Sequence, residues 1–202
     1  MLRDRLRQLR GLVRERLDGP ANRRQVWAPE PTIGTGRVLL PDGTRLERSA
    51  LVNLGELQNA LRRPGRLVLQ HHWASWAPAV ADDLPILLEL HLAWAQHVDV
   101  IGVGWEAMSG GASLRDAALE VDAFHRSYGL TWRTLVYEGD RLALRTALRI
   151  RSEILPQTML CGPDGAVLYL QEGAMDEDAG RELEAVISHH TGVVDRPRLP
   201  PT

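Results

Sequence analysis

The chain has very little sulfur chemistry available, because its 202 residues contain a single cysteine, Cys161. One cysteine cannot form a disulfide within the chain, and it cannot supply a metal site built from several cysteines. A chain without internal disulfides suits a reducing compartment. We therefore predict a cytoplasmic location and no bound metal.

The sequence also lacks lysine and long apolar runs. All 24 basic residues are arginines and the net charge is −2, so no global field attracts nucleic acid. No run approaches the roughly 20 apolar residues that span a bilayer, and the charged N-terminus lacks the apolar core of a signal peptide. The sequence thus predicts a protein that is neither exported nor threaded through a membrane, and that has no nucleic-acid partner.

Three common enzyme motifs are missing as well. Without lysine, the chain cannot contain a phosphate-binding loop of the Gly-x-x-x-x-Gly-Lys type. Gly102-Val103-Gly104 lacks the third glycine of a dinucleotide-binding turn, and Ser75 lacks the flanking glycines of a hydrolase nucleophile. We expect no cofactor.

Residues 1–20 have the pattern of a basic amphipathic helix. Apolar residues recur at steps of three and four, arginines cover the other positions, and Gly19-Pro20 ends the pattern. The apolar positions are Leu2, Leu6, Leu9, Val13 and Leu17. Such a helix packs on its own domain or on a partner. Peripheral membrane contact through residues 1–17 is the less favoured alternative, because the apolar face has no aromatic anchor.

The rest of the chain predicts one α/β domain at residues 37–190, preceded by a loop at 21–36 and followed by a disordered, proline-rich tail at 191–202. Strands are predicted at 67–73, 98–105, 134–137, 158–161 and 166–171, and helices at 54–62, 78–97, 113–128, 141–150 and 176–190. A Pro41-Asp42-Gly43-Thr44 turn predicts a hairpin at 37–47. This order predicts a central mixed β-sheet with helices on both faces.

Three motifs give the chain its family resemblance. Trp73-Ala74-Ser75-Trp76-Ala77-Pro78-Ala79-Val80 follows a predicted buried strand, and Asp83-Leu84-Pro85-Ile86-Leu87 comes one helical turn later. Leu155-Pro156-Gln157-Thr158 precedes a hairpin at Asp164-Gly165 and then Gly173. In this order and spacing, residues 37–190 resemble the thioredoxin-fold redoxins of the TlpA/ResA type. The first motif is similar to that family's Trp-Ala-Ser-Trp-Cys-Pro-Pro-Cys, and the third to its cis-proline loop.

The resemblance implies a thioredoxin-like fold whose usual chemistry is absent. The family uses two thiols three residues apart at a helix N-terminus, where one is activated as a thiolate and the other resolves the mixed disulfide. The matching positions are Ala77 and Val80, so we expect no dithiol oxidoreductase activity and no catalytic residue. The resemblance also implies a cis bond before Pro156 and an open backbone edge beside it, to which a peptide can add as a strand.

The favoured hypothesis is therefore a redox-inactive protein that binds an unknown protein or peptide at the former active-site surface. The predicted surface consists of Trp73, Trp76, Ala77, Pro78, Val80, Leu155 and Pro156. The alternative is a thiol-disulfide oxidoreductase or peroxide reductase that uses Cys161, which the strand geometry places far from this surface. His71 and His72 are adjacent on a strand and point to opposite faces, so they cannot share a metal, and we expect His71 to be a hydrogen-bonded core residue.

Overall fold

The computed structural model describes residues 36–77, 79–109 and 113–193. The predicted leading helix, the predicted loop up to residue 35, Pro78 and the tail from residue 194 onward lie outside the described residues. No helix in the described ranges is long and apolar enough to cross a membrane.

Within the described residues, six strands form one sheet. They are β1 (Ser49–Val52), β2 (Leu67–Trp73), β3 (Val98–Gly104), β4 (Arg133–Tyr137), β5 (Gln157–Cys161) and β6 (Val167–Glu172). The same part of the chain contains five α-helices: α1 (Leu54–Ala60), α2 (Val80–Trp94), α3 (Leu114–Tyr128), α4 (Arg141–Leu148) and α5 (Glu177–Thr191). A short 3-10 helix, Glu106–Ser109, follows β3.

The sheet is mixed, and its order is β1-β4-β3-β2-β5-β6. The first four strands in this order run parallel, whereas β5 pairs antiparallel with both β2 and β6. The run of β3 from Val100 to Gly104, which has no polar side chain, is explained by its position, because β3 is parallel to β4 on one side and to β2 on the other. The prediction of a mixed sheet with a central parallel strand is therefore confirmed.

Helices cover both faces of the sheet, as the sequence predicts. Alternate residues of β2 separate the two cores: Leu67 and Leu69 pack with α2 and α5, whereas Val68 packs with α1 and α4. A third apolar cluster joins the end of β2 to α3 and to the start of α2. This third cluster is where the Trp73–Val80 motif lies.

Two sequence predictions differ from the structure near the N-terminal edge of the sheet. The hairpin predicted at residues 37–47 is reduced to a turn with one bridge, Leu39 to Arg45, so its flanks are not strands. The adjacent strand β1, which the sequence analysis did not predict, forms instead, because it pairs in parallel with β4, some 85 residues later in sequence. A run of four residues is too short to show the alternating apolar pattern that identifies a strand.

Local sequence signals predicted both ends of α3 and the position of the proline in α2. Ser113 caps α3 by accepting a hydrogen bond from the Asp116 N–H at 3.1 Å, and its hydroxyl donates to the Asp116 carboxylate at 2.7 Å. Gly129 ends the same helix in the left-handed conformation, with φ 65°. Pro85 lies inside α2, as the spacing predicts.

Candidate functional site

The Trp73–Val80 motif forms the turn that connects β2 to α2. The turn is closed by the Ala77 N–H, which donates to the Ala74 carbonyl at 3.0 Å, and the Val80 N–H donates to the Ala77 carbonyl at 3.2 Å. The turn lies at the carboxyl end of a central parallel strand, which is where α/β proteins commonly bind ligands. Pro78, one of the predicted surface residues, lies outside the described residues.

Most of the motif faces the core. Trp73, Ala77 and Val80 are buried in the cluster that includes α3 residues, and Trp73 packs on Phe124 with ring centroids 4.6 Å apart. The Trp73 indole N–H donates to Thr134 Oγ1 at 3.3 Å. These three side chains therefore present no surface to a partner. Trp76 is different, because 54% of it is exposed.

The loop before β5 meets the same cluster. The Leu155–Pro156 peptide bond, for which the resemblance implies a cis geometry, is cis. Pro156 is buried, and its carbonyl accepts a hydrogen bond from the Gly173 N–H at 2.9 Å. Leu155 is half-buried and packs against the cluster that contains Ala77 and Val80. The structure thus brings the first and third motifs together, although they are nearly 80 residues apart in sequence.

A buried carboxylate, Glu106, forms a hydrogen bond with the backbone of the turn. Glu106, the first residue after Trp105, accepts a hydrogen bond from the Ser75 N–H, and the Ser75 hydroxyl lies 3.4 Å from its other oxygen. The same hydroxyl donates to Glu120 of α3 at 2.5 Å. Burial raises the pKa of Glu106, the Ser75 N–H opposes that shift, and the charge of Glu120 adds to it. The turn that carries Trp76 is therefore held at its backbone.

The sequence analysis missed Glu106, although a signal for it exists. Ser75 and Glu106 follow β2 and β3, which are adjacent parallel strands, so both residues emerge at the same edge of the sheet. Polar residues placed just after neighbouring parallel strands are expected to meet there. Glu120 comes from a helix, and no comparable signal predicts its contact with Ser75.

A second buried carboxylate lies one turn into α2. Asp83 accepts a hydrogen bond from the Met175 N–H at 2.6 Å, and its other oxygen is 3.8 Å from His71 Nδ1. Burial raises the pKa of Asp83 to about 7, and burial together with the charge of His72 lowers the pKa of His71 to about 3. His71 Nδ1 also lies 3.1 Å from the Thr158 hydroxyl, as expected for a hydrogen-bonded core histidine. Near neutral pH this pair therefore carries no more than one charge.

His72 faces the opposite side of the sheet and belongs to a buried chain of hydrogen bonds. The Trp105 indole N–H donates to His72 Nδ1 at 3.2 Å, so the remaining proton of the neutral ring lies on Nε2 and is donated to the Gln70 carbonyl oxygen at 3.2 Å. The Gln70 amide then donates to Cys161 Sγ at 3.2 Å. His71 thus contacts Thr158 on one face of the sheet, whereas His72 contacts Trp105 and Gln70 on the other. Among residues 36–77, 79–109 and 113–193, no three His, Cys, Asp or Glu side chains are placed to hold a metal ion.

Cys161 is buried in the cluster formed with α1 and α4, across the sheet from Ala77 and Val80. Burial, with a smaller contribution from the charge of Asp164, raises the pKa of its thiol to about 11. The thiolate is the reactive form of cysteine. Its position and its pKa both disfavour the alternative in which Cys161 carries redox chemistry.

We predict that Cys161 of the folded protein reacts slowly with alkylating reagents. A thiol pKa raised by two units leaves about 100-fold less thiolate at pH 8, and burial slows access further. Labelling by iodoacetamide should therefore be at least about 100-fold slower in the native chain than in the chain unfolded by guanidinium, as measured by mass spectrometry over time. Equal labelling rates in the two states would show that Cys161 is accessible.

No protein-family model matches the sequence, and no curated protein matches it. Solved structures do match. StoA from Bacillus subtilis is 19% identical with a TM-score of 0.46, over 61% of this chain and 84% of that one. A DsbF homologue from Corynebacterium diphtheriae is 15% identical with a TM-score of 0.49, over 62% and 73%. A putative thiol:disulfide interchange protein DsbE from Chlorobium tepidum is 18% identical with a TM-score of 0.49, over 62% and 79%.

At these identities and TM-scores the likeness carries no functional conclusion, and the fold is established by the chain's own topology. The parallel β2-α2-β3 unit and the antiparallel β5-β6 pair followed by α5 are joined through β2 and β5. Together with the proline loop beside the β2–α2 turn, this is a thioredoxin-like fold.

Proposed function

We propose that this thioredoxin-fold protein acts by non-covalent binding of an extended, apolar peptide segment of another protein. The observation that carries the proposal is Trp76, a largely exposed tryptophan on a turn whose Ser75 N–H donates a hydrogen bond to the buried Glu106 carboxylate. Exposed aromatic side chains on a fixed backbone are typical of binding sites, because little conformational entropy is lost when they are covered. Of the predicted surface residues, Trp76 and Leu155 are the described ones that are not buried.

Ile154 adds to this surface. Ile154 is 54% exposed and directly precedes the half-buried Leu155. In the same way, the exposed Trp76 directly precedes the buried Ala77. Because Ala77 belongs to the cluster against which Leu155 packs, both exposed side chains border the same part of the molecule. We call Trp76, Ile154 and Leu155 the Trp76 surface. Exposed apolar side chains on two segments that pack against one cluster favour an interaction site over a random surface position.

The backbone beside this surface is open to pairing. Within the described ranges, neither the N–H nor the C=O of Leu155 makes a hydrogen bond to another backbone group. An extended peptide can add to such an edge by main-chain hydrogen bonds, while its apolar side chains contact Trp76 and Ile154. This mode needs no thiol, which suits a motif with Ala77 and Val80 at the two thiol positions. The cytoplasm, as a reducing compartment, remains the location that we propose.

We predict that Trp76→Ala weakens binding of a model peptide at least tenfold. The probe is fluorescently labelled insulin B chain with its cysteines carboxymethylated, titrated with the full chain and followed by fluorescence anisotropy. Removal of a central tryptophan from an interface typically costs 2 kcal/mol or more, which is roughly 30-fold in affinity. The matched control is Leu142→Ala, because Leu142 on α4 is 67% exposed and lies outside the surface.

Three results would contradict the proposal. The first is equal affinity of the Trp76→Ala and Leu142→Ala variants for the probe, and the second is no binding of the probe by the parent chain. The third is sustained reduction of insulin disulfides by the pure protein with dithiothreitol, since a protein without paired thiols at residues 77 and 80 is expected to give no turnover above the reagent alone.

A further inference from the structure

An exposed carboxylate is fixed to the turn that carries Trp76. Glu120 on α3 is exposed, and its carboxylate accepts a hydrogen bond from the Ser75 hydroxyl at 2.5 Å. Ser75 directly precedes Trp76, whose indole is 54% exposed. Because consecutive Cα atoms are about 3.8 Å apart, a negative charge and an exposed aromatic side chain are attached to the turn at neighbouring positions.

Glu120 forms no ion pair with a basic side chain of the described ranges. Helical ion pairs join residues three or four positions apart, and the residues at these distances from Glu120 are not basic. They are Asp116, Ala117, Ala123 and Phe124. The arginines of α3 pair elsewhere, since Arg115 lies 2.6 Å from Asp42 and Arg126 lies 3.9 Å from Asp122. The charge of Glu120 is therefore not offset from within its own helix.

The Ser75 hydroxyl offsets this charge only in part. A hydroxyl has one hydrogen to donate, and the carboxylates of Glu120 and Glu106 lie 2.5 Å and 3.4 Å from its oxygen. The two carboxylates are thus close enough to repel each other. Burial raises the pKa of Glu106, and the charge of Glu120 raises it further, whereas the Ser75 N–H opposes both. A positively charged group of a ligand would relieve this repulsion.

The side chain of arginine suits this position better than a metal ion or a lysine. Mg²⁺ and Ca²⁺ take about six or more oxygen ligands, and the described parts of the chain place no three His, Cys, Asp or Glu side chains to hold a metal. A guanidinium group is planar, can form two hydrogen bonds with one carboxylate and stacks on aromatic rings. Tryptophan is the aromatic side chain that attracts a cation most strongly.

We propose that the peptide segment bound at the Trp76 surface carries an arginine, whose guanidinium pairs with Glu120 and stacks on the Trp76 indole. This inference rests on the proposed function and adds the chemistry of the partner. The methylene groups of arginine pack on apolar surface while its charged end stays hydrated. An arginine is therefore compatible with apolar contacts to Ile154 and Leu155, and the partner segment is apolar with one basic position.

Two labelled peptides that differ in one group test this inference. One has apolar residues at alternate positions and an arginine at its centre, and in the other that arginine is replaced by citrulline, which has the same shape without the charge. We expect the parent chain to bind the arginine peptide about fivefold more tightly, as measured by fluorescence anisotropy. Because screening weakens charge pairs near the surface, this preference should shrink between about 0.05 and 0.5 M salt.

Removing the charge of Glu120 should abolish the preference. We expect Glu120→Gln to bind the two peptides with affinities equal within about twofold, and to bind the citrulline peptide as the parent does. The matched control is Glu182→Gln, at an exposed glutamate on α5, which should keep the preference of the parent. Equal affinities of the parent for the two peptides would overturn the inference. So would an unchanged preference in Glu120→Gln, or the same loss of preference in Glu182→Gln.

Trp76→Ala separates this inference from the proposed function. That variant should bind both peptides more weakly than the parent, because it removes the aromatic side chain that both of them contact. If it does so while Glu120→Gln keeps the arginine preference, the role of Glu120 is wrong and the proposed function stands. If neither peptide binds to the parent, or if Trp76→Ala binds both as the parent does, the proposed function is overturned together with the inference.

Discussion

Replacing Gly102 by alanine is expected to cost more than about 3 kcal/mol of folding stability, the largest effect of any single methyl group that we predict. A Cβ atom at residue 102 would lie 2.1 Å from Thr134 Oγ1 and 2.9 Å from Trp73 Nε1. Both partners are buried, and Thr134 is a short β-branched residue on the neighbouring strand β4, so neither can move aside freely.

The clash would also disturb a hydrogen-bonded group. The Thr134 hydroxyl accepts from the Trp73 indole N–H and lies 2.7 Å from His125 Nε2. Displacing it leaves buried polar atoms unpaired, which typically costs 1–3 kcal/mol in addition to the overpacking. Since small domains are stable by roughly 5–15 kcal/mol, we expect the variant to unfold at clearly lower temperature and to be partly unfolded at 37 °C.

Gly104→Ala is the matched control for this prediction. Gly104 lies two residues further along β3, and the nearest atom that its Cβ would meet is Thr134 Cγ2 at 3.3 Å. A shift of a few tenths of an ångström relieves that contact, so we expect a loss of about 1 kcal/mol or less. Guanidinium unfolding of both variants, followed by far-UV circular dichroism, gives the comparison. Equal losses would mean that the space around Gly102 does not limit stability.

Asp83→Asn is expected to make the protein more stable at pH 8 and to change it little at pH 4. Burial raises the pKa of Asp83 to about 7 in the folded protein, with the Met175 N–H lowering it and the charge of Asp82 raising it. In the unfolded chain an aspartate ionises near pH 4. The folded state therefore holds this proton more tightly, and ionising Asp83 opposes folding.

The direction of the pH dependence of stability follows from this difference between the folded and unfolded pKa values of Asp83. The contribution of the neutral Asp83 is fully present below about pH 4 and is lost as the pH rises through about 7. Asparagine keeps the hydrogen bond from Met175 and never ionises. The stability advantage of the variant should therefore grow by up to about 4 kcal/mol between pH 4 and pH 8, since each unit of pKa difference is worth about 1.4 kcal/mol.

Buried histidines change stability with pH in the opposite direction. Comparing Asp83→Asn with the parent chain removes their contribution, because both proteins contain the same histidines. Burial lowers the pKa of His71 to about 3, so its contribution is present above pH 6.5 and is lost as the pH falls. That contribution is common to the parent and to Asp83→Asn. Guanidinium unfolding at intervals between pH 4 and pH 8 measures the difference. Asp82→Asn is the control, because Asp82 is the exposed neighbour on α2.

A pH-independent difference between Asp83→Asn and the parent would show that Asp83 ionises normally in the folded protein. A large pH-dependent effect of Asp82→Asn would have the same meaning, because the titrating group would then be the exposed one. The expected effect of Asp82→Asn is below about 1 kcal/mol at every pH, as usual for a surface charge near a helix N-terminus.

Local sequence signals identified most elements of the fold. The strand predicted at residues 67–73 coincides with β2, and the helix predicted at 113–128 has its cap at Ser113, because strand composition and capping act over a few residues. Strand β1 was missed because four residues carry no usable period and its strand character depends on pairing with distant β4. Boundaries of α2 and α4 moved by two or three residues, where helix ends are set by contacts with the rest of the molecule.

The sequence likewise predicted only part of the candidate site. The spacing of Trp73, Ala77 and Val80 was enough to show where the thiols are missing. It could not show that Trp73 is buried while Trp76 is exposed, because α3 and β4 supply the atoms that cover Trp73. The contacts of Glu106 with Ser75 and of Asp83 with His71 likewise join residues from different elements.

The sequence by itself determined the order of the strands and helices from α1 onward and the absence of a reactive dithiol, since both depend on which residues occur at short spacings. Only the tertiary structure decided which of those residues meet water. Burial, together with the pKa changes that it causes, is imposed by side chains that arrive from distant parts of the chain. The exposed Trp76, the raised pKa of Asp83 and the buried Cys161 are all products of that packing.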